Sequence, residues 1–297
     1  MAKTQQDQAA GLRSLTDSGD KMDGQIRVIA VTSGKGGVGK TNVVANMAIA
    51  MARLGKKVLV MDADMSLHNL DIMLGMSPQY NISHVFSGEK VLEEILVEGP
   101  AGIKILPASE GAQELTLLND LQKLTLLDQM DSLENQVDVF LIDTAAGIGN
   151  TVLYFNQAAQ DRVVVVTPEL TSITDAYTLI KVLAIDRHEK YFRLLINEAQ
   201  NEKEAKAVYK KLVDVADEFL SDVSLDYLGF IPHDRAVLKA VRLQQAVVEA
   251  FPESAASKNF VKLAERLLSD PARGGLEGNM RFFFKRFLTM PGCEGLG

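Results

Sequence analysis

The eight residues Gly34–Thr41, GKGGVGKT, restrict this chain more than any other stretch of its sequence. They satisfy G-x-x-x-x-G-K-[ST] and stand between a β-rich run, IRVIAVTS (26–33), and a helical run, NVVANMAIAMARLG (42–55). Gly34, Gly36, Gly37 and Gly39 let the backbone curl until consecutive N–H groups point inward, and the helix that follows adds its positive end. Such a loop cradles phosphates, with Lys35, Val38 and Asn42 completing its wall. Lys40 is expected on the β- and γ-phosphates and Thr41 on a magnesium ion. The implied ligand is a nucleoside triphosphate with Mg²⁺. A second acidic position, Asp143, is expected to end the buried run VDVFLIDT (137–144), where a carboxylate can hold the metal through water.

The remaining chain supplies the scaffold that such a loop requires. Short apolar runs KKVLVMD (56–62), IKILPA (103–108), RVVVVTP (162–168), FRLLIN (192–197) and LDYLGFIP (225–232) alternate with helical stretches such as DAYTLIKVLAIDRHEK (175–190). The runs are continuously apolar, as strands are when both faces of a sheet are covered. The pattern predicts an α/β fold, a doubly wound and mostly parallel sheet flanked by helices. Three segments are expected: a polar tail (1–24), one nucleotide-binding domain (25–270), and a Gly-rich linker with a C-terminal tail (271–297).

Composition narrows the chemistry. Of 297 residues, 47% are hydrophobic and 24% charged, which excludes wholesale disorder. The formal charge of −8 argues against direct DNA binding as the main activity. A single cysteine, Cys293, rules out an intrachain disulfide or a Cys-built iron–sulfur cage within one chain. The first twenty residues lack the apolar core of a secretory signal, and no apolar run is long enough to span a bilayer, so a cytoplasmic protein is expected.

Lys35, the second residue of the loop, resembles the deviant lysine of the MinD/ParA class of ATPases. In that resemblance Lys35 reaches across an ATP-dependent homodimer to the partner's phosphates, so Lys35, Lys40 and Asp64 form the catalytic set. The segment VMDADMSLHNLDIMLG (60–75) resembles the family's first switch, which implies Asp62 beside Mg²⁺ with Thr41 and Asp143, and Asp64 positioning the attacking water. DTAAGIGNT (143–151) and PELTSITDAYTLIKVL (168–183) resemble the following family segments. Asn197 matches an adenine-reading asparagine, and GFIPHDRAVLKAV (229–241), with Pro232 and Asp234, matches the segment packed against the base. The chain departs from the family at Glu198, where a basic or neutral residue is common. The resemblance spans about residues 26–268 and implies slow, dimerisation-coupled hydrolysis of ATP.

The N-terminal tail, DQAAGLR (7–13), is similar to that of flagellar-number regulators, the FlhG/FleN type of MinD-like ATPase. Asp7, Gln8, Ala9, Leu12 and Arg13 match a D-Q-A-x-x-L-R motif, which implies stimulation of the flagellar signal-recognition-particle-like GTPase FlhF. The resemblance also implies restraint of an AAA+ flagellar transcription activator and contact with flagellar switch proteins. Residues 279–290 read independently as a basic amphipathic helix: Met280, Phe283, Phe284, Phe287 and Leu288 share a stripe flanked by Lys285, which suits an anionic membrane surface. Reversible peripheral attachment to the inner face of the cell membrane, with a polar position as one option, follows as an expectation. A MinD-type division regulator and a ParA-type DNA-positioning ATPase are the alternatives. For the latter, Lys203, Lys206, Lys210 and Lys211 could form one basic helix face.

Overall fold

A computed structural model describes residues 26–64, 69–107, 129, 130, 133, 136–220 and 222–272. The Asp7–Arg13 motif and the Met280–Leu288 stripe lie outside the described residues. Eight strands form one sheet: β1 (Arg27–Ser33), β2 (Val58–Ala63), β3 (Val97–Glu98), β4 (Lys104–Leu106), β5 (Val139–Ala146), β6 (Asp161–Val166), β7 (Tyr191–Ala199) and β8 (Ser224–Pro232). Among the described residues the helices are α1 (Lys40–Arg53), α2 (Asn69–Met73), α3 (Ile82–Phe86), α4 (Leu92–Ile95), α5 (Asn150–Ala158), α6 (Leu170–Arg187), α7 (Glu202–Phe219), α8 (Arg235–Arg242), α9 (Val247–Ala250) and α10 (Ala255–Ser269).

The sheet order is β3-β4-β2-β5-β1-β6-β7-β8, with every pairing parallel except β3 with β4. The doubly wound expectation is met. The antiparallel edge strand β3 is an addition that a two-residue run, Val97–Glu98, does not announce. From β1 the chain winds through α1 toward β2 on one side, while β6, β7 and β8 extend the other way. The loops therefore part beside the carboxyl end of β1, where open α/β sheets bind ligands.

Each continuously apolar strand divides its side chains between two cores. Ile29 and Val31 of β1 join Val58, Val60, Val139, Leu141, Val163 and Val165 under α1, α9 and α10. Val28 and Ala30 face the opposite side with Leu59, Met61, Phe140 and Ile142, under Phe155 of α5. Further along the sheet, Val164, Val166, Leu194 and Ile196 lie under α6 and α7. Alternation thus exists in space although the sequence conceals it, because both faces are dry. Several expected boundaries shift. β2 starts at Val58, β5 continues past Asp143 to Ala146, and β7 runs on to Ala199. α6 begins at Leu170, well before 175, and ends at Arg187 with His188 in a left-handed cap.

Candidate nucleotide site

The loop leaves β1 at Ser33 and enters α1 at Lys40, and its glycines answer to specific neighbours. A Cβ at Gly34 would lie 2.1 Å from the carbonyl oxygen of Asp175, inside the backbone of α6. Gly39 holds φ +84° as the residue before α1, and a Cβ there would meet Asn197 Nδ2 at 2.5 Å. Only glycine fits either place. The loop lines one wall of a cavity of about 620 Å³ that also takes in Asp64, Met73, Asn197, Glu198, Pro232 and Asp234. Lys35, Gly36, Gly37, Val38, Gly39, Lys40, Thr41 and Asn42 all reach it, whereas Gly34, expected with them, packs against the backbone of α6 and does not line it.

Beneath the loop is a buried charge cluster. Lys40 Nζ donates to Asp143 Oδ1 at 2.9 Å, with both side chains nearly inaccessible. Asp62 of β2 stands beside Asp143 of β5 in the sheet register. Burial, reinforced by the charge of Asp143, pushes the Asp62 carboxyl up to about 7, against hydrogen bonds from the backbone N–H groups of Leu70 and Asp64 that favour its ionised form. Burial likewise raises Asp143, while Lys40 and a hydrogen bond from the Thr41 side chain pull it back. Lys40 is thus paired with Asp143, Asp62 beside it accepts backbone N–H groups, and Asp143 Oδ2 is buried with no hydrogen-bond partner.

That arrangement fits a divalent cation. Among the described residues no group of three or more acidic, histidine or cysteine side chains could hold a metal unaided. Mg²⁺ needs only one or two protein ligands when phosphates and water complete its octahedron. The Thr41 hydroxyl, the orphaned oxygen of Asp143 and the neighbouring Asp62 offer those positions, and a bound Mg²⁺ would supply charge neutralisation for phosphoryl transfer.

Lys35 points elsewhere. Its Nζ donates to Glu169 Oε2 at 2.8 Å and to Thr171 Oγ1 at 2.9 Å, at the start of α6. Sequence reasoning singled out the segment 168–183 but missed these two as partners of the lysine. Asn46 was also missed. This fully buried asparagine of α1 donates to Asn42 Oδ1 at 2.9 Å and accepts from Val248 N at 3.0 Å, tying the loop's helix to α9. An amide inside an otherwise apolar helix, at Asn46 of NVVANMAIAM, was the signal available.

At the far end the cavity is apolar, with Ile231, Pro232, Val237, Leu238, Val241 and Phe260. Asn197 lies between the two ends, but its Nδ2 donates to Val38 O at 2.8 Å, so part of its amide secures the loop. Asp234 lines the cavity with both oxygens engaged, Oδ1 accepting from Ala236 N at 2.8 Å and Oδ2 from Ala256 N at 3.1 Å. The aspartate caps α8 and anchors the start of α10, so it shapes the wall instead of offering a free acceptor.

Comparison with known proteins agrees with this geometry. A family model described as NUBPL iron-transfer P-loop NTPase, of the ParA group, matches residues 25–268. The chain is 44% identical over 266 residues to the antiactivator FleN of Pseudomonas aeruginosa, covering 90% of this chain and 95% of that protein. It is 35% identical over 272 residues to the flagellum site-determining protein YlxH of Helicobacter pylori, covering 91% and 92% respectively. Among solved structures, the MinC:MinD cell division protein complex of Aquifex aeolicus aligns with a TM-score of 0.66 at 29% identity, covering 85% of this chain and 100% of that one. The fold is shared as well with MinD of Pyrococcus horikoshii, solved as a complex with Mg-ADP, at a TM-score of 0.65 and 24% identity over 82% of this chain and 96% of that one.

Proposed function

We propose, from the premise that this chain belongs to the ParA-type family of P-loop NTPases and is an ATPase, that it regulates the number and placement of flagella. The observation that carries this reading is the 44% identity to FleN across nearly the whole of both chains, supported by a cavity lined by the glycine-rich loop, Lys40, Thr41 and Asp64. The chemistry needs little from the protein beyond position and charge. The loop and Lys40 bind the phosphates of ATP, Thr41 and Asp143 hold Mg²⁺ with Asp62 beside it, and Asp64 orients the attacking water.

Lys35 acts in the ATP-dependent homodimer. Its ammonium is held by an exposed pair with Glu169, with side-chain exposures of 37% and 67%, and an exposed pair is weak enough to be exchanged for a partner's phosphates. Of the two tails, Asp7–Arg13 stimulates the flagellar GTPase FlhF, and Met280–Leu288 docks reversibly on anionic membrane when dimerisation doubles the attachment. No helix among the described residues is long and apolar enough to cross a membrane. The same protein restrains an AAA+ flagellar transcription activator and meets the flagellar switch proteins.

The test adds a synthetic peptide of residues 1–24 to the purified flagellar GTPase, with a Gln8→Ala peptide as control. Stimulated GTP turnover that the control lacks supports the flagellar role, and no stimulation removes the activator function of the tail. In parallel, Asp64→Ala should bind ATP and accumulate as a dimer without hydrolysing it; normal turnover would overturn the role given to Asp64. A DNA-positioning role has less support. Lys203, Lys206, Lys210 and Lys211 are exposed on α7, yet Lys206 already pairs with Glu202 at 2.8 Å, and such an interleaved face is ordinarily solvated.

A further inference from the structure

Three carboxylates line the nucleotide cavity: Asp64, Glu198 and Asp234. Asp64 is tied by its backbone N–H to Asp62 in the buried charge cluster, and both oxygens of Asp234 accept backbone N–H groups. Glu198 differs from both. It is exposed in the cavity wall, and no hydrogen bond or ion pair with any described residue engages its carboxylate.

Its placement is a property of the sheet. The β7–β8 register steps from Ile196↔Phe230 to Ala199↔Pro232, three residues against two, so Asn197 and Glu198 together oppose Ile231. In a regular strand these neighbours would point to opposite faces; here both line the cavity. A bulge re-aims side chains in this way and is common beside functional sites. Glu198 takes the left-handed conformation, φ +59°, shared by only three other non-glycine residues among those described. Such a backbone persists in a side-chain-bearing residue when the surroundings hold it there.

The cavity's apolar end can accept the faces of any purine and does not tell one from another. Asn197 has already given a donor to Val38 O. A carboxylate only accepts, whereas adenine's sole N–H donors on the base are those of its 6-amino group. A 6-oxo purine places an acceptor at that same point, where it would oppose the carboxylate, and carries its donor at the neighbouring N1 instead. We infer that Glu198 is a specificity-determining residue of the ATP site, accepting from the 6-amino group of adenine and rejecting 6-oxo purine nucleotides. This rests on the ATP site alone and is independent of the flagellar reading.

The experiment measures binding of three nucleotides to the full chain with Mg²⁺ by calorimetry. ATP carries an amino group at position 6, purine riboside triphosphate a hydrogen, and inosine triphosphate an oxygen. The native protein should prefer ATP to inosine triphosphate by about ten-fold or more, as for a hydrogen bond to a charged group, with the hydrogen-bearing nucleotide between them. Glu198→Gln can donate or accept, so it should reduce that preference about ten-fold. Its affinity for purine riboside triphosphate should stay within about two-fold of native, since that base offers position 6 no partner. Glu198→Gly relieves the left-handed backbone and should lose the selectivity while keeping its melting temperature. An unchanged preference in Glu198→Gln would overturn the assignment. So would equal weakening of all three nucleotides, which places the contact on sugar or phosphate. A native preference for GTP, lost in the variant, would show the carboxylate reading guanine's N1–H and 2-amino group and would overturn it as well.

Discussion

The two ends of the sheet each bury a cluster of charges, and the clusters are built to opposite rules. At the amino ends of the strands, Asp161 Oδ2 accepts from Arg27 Nε at 2.8 Å and Asp161 Oδ1 from Arg193 Nε at 3.0 Å. Arg193 also donates to Asp270 Oδ2 at 2.7 Å and to Pro271 O at 3.0 Å, while Arg27 reaches the carbonyls of Leu267 and Asp270. Two guanidinium groups face two carboxylates there, and the forks close onto the end of α10. At the carboxyl ends, Lys40 pairs with Asp143, Asp62 stands beside them on the next strand, and one oxygen of Asp143 has no hydrogen-bond partner. The first cluster matches two guanidinium groups to two carboxylates without a ligand and holds the fold. The second carries surplus negative charge in a dry place, which a cation with phosphate resolves. Burial of charge is common to both; what separates structure from function is whether the charges balance.

Breaking the balanced cluster should have the largest effect on stability. Arg193→Met leaves Asp161 and Asp270 short of a partner and should lower stability by about 3–5 kcal/mol in urea unfolding, with ATP affinity unchanged below the transition. Unaltered stability would mean that Arg27 alone satisfies Asp161. In the unbalanced cluster, Lys40→Met should reduce ATP affinity by about 100-fold, roughly 2.7 kcal/mol, as expected on loss of a charge-assisted phosphate contact. Its stability loss should be smaller than that of Arg193→Met, because burial already favours the neutral form of Asp143. Calorimetry and unfolding on the same sample separate the two effects.

Asp62→Asn sharpens the contrast through pH. The folded Asp62 carboxyl is raised from 3.8 to about 7, so the folded state binds the extra proton between those values. The stability this confers is present below about 3.8 and is lost as pH rises through about 7. The substitution should therefore raise the melting temperature of the metal-free protein by a few degrees at pH 8, and by less at pH 5. A gain that does not grow with pH would show that Asp62 is ionised throughout. The smallest effect belongs to the exposed pair at the mouth of the site. Glu169→Gln should change stability by less than about 1 kcal/mol, since both partners remain hydrated.

Legibility followed the same division. The phosphate loop was readable because its chemistry is local: glycines, a lysine and a threonine at set spacing between a strand and a helix. The parallel strands were readable because burial on both faces requires unbroken apolar runs such as VVVV at 163–166. The antiparallel β3 was not, because two residues carry no period. Lys35 could be picked out, but not its partners Glu169 and Thr171, 134 and 136 positions away. Asp234 was expected to bind the nucleotide; it lines the cavity, yet only the structure shows both its oxygens spent on helix starts.

The sequence by itself determined that this chain folds as a P-loop α/β domain and grips a nucleotide triphosphate, since backbone freedom, apolar period and charge at the loop are properties of neighbours along the chain. Tertiary structure decided which carboxylates go unbalanced, which asparagine is spent on the loop, and that a one-residue bulge turns Glu198 into the cavity. Those outcomes depend on strands meeting in register and helices closing over them, contacts that no local spacing encodes.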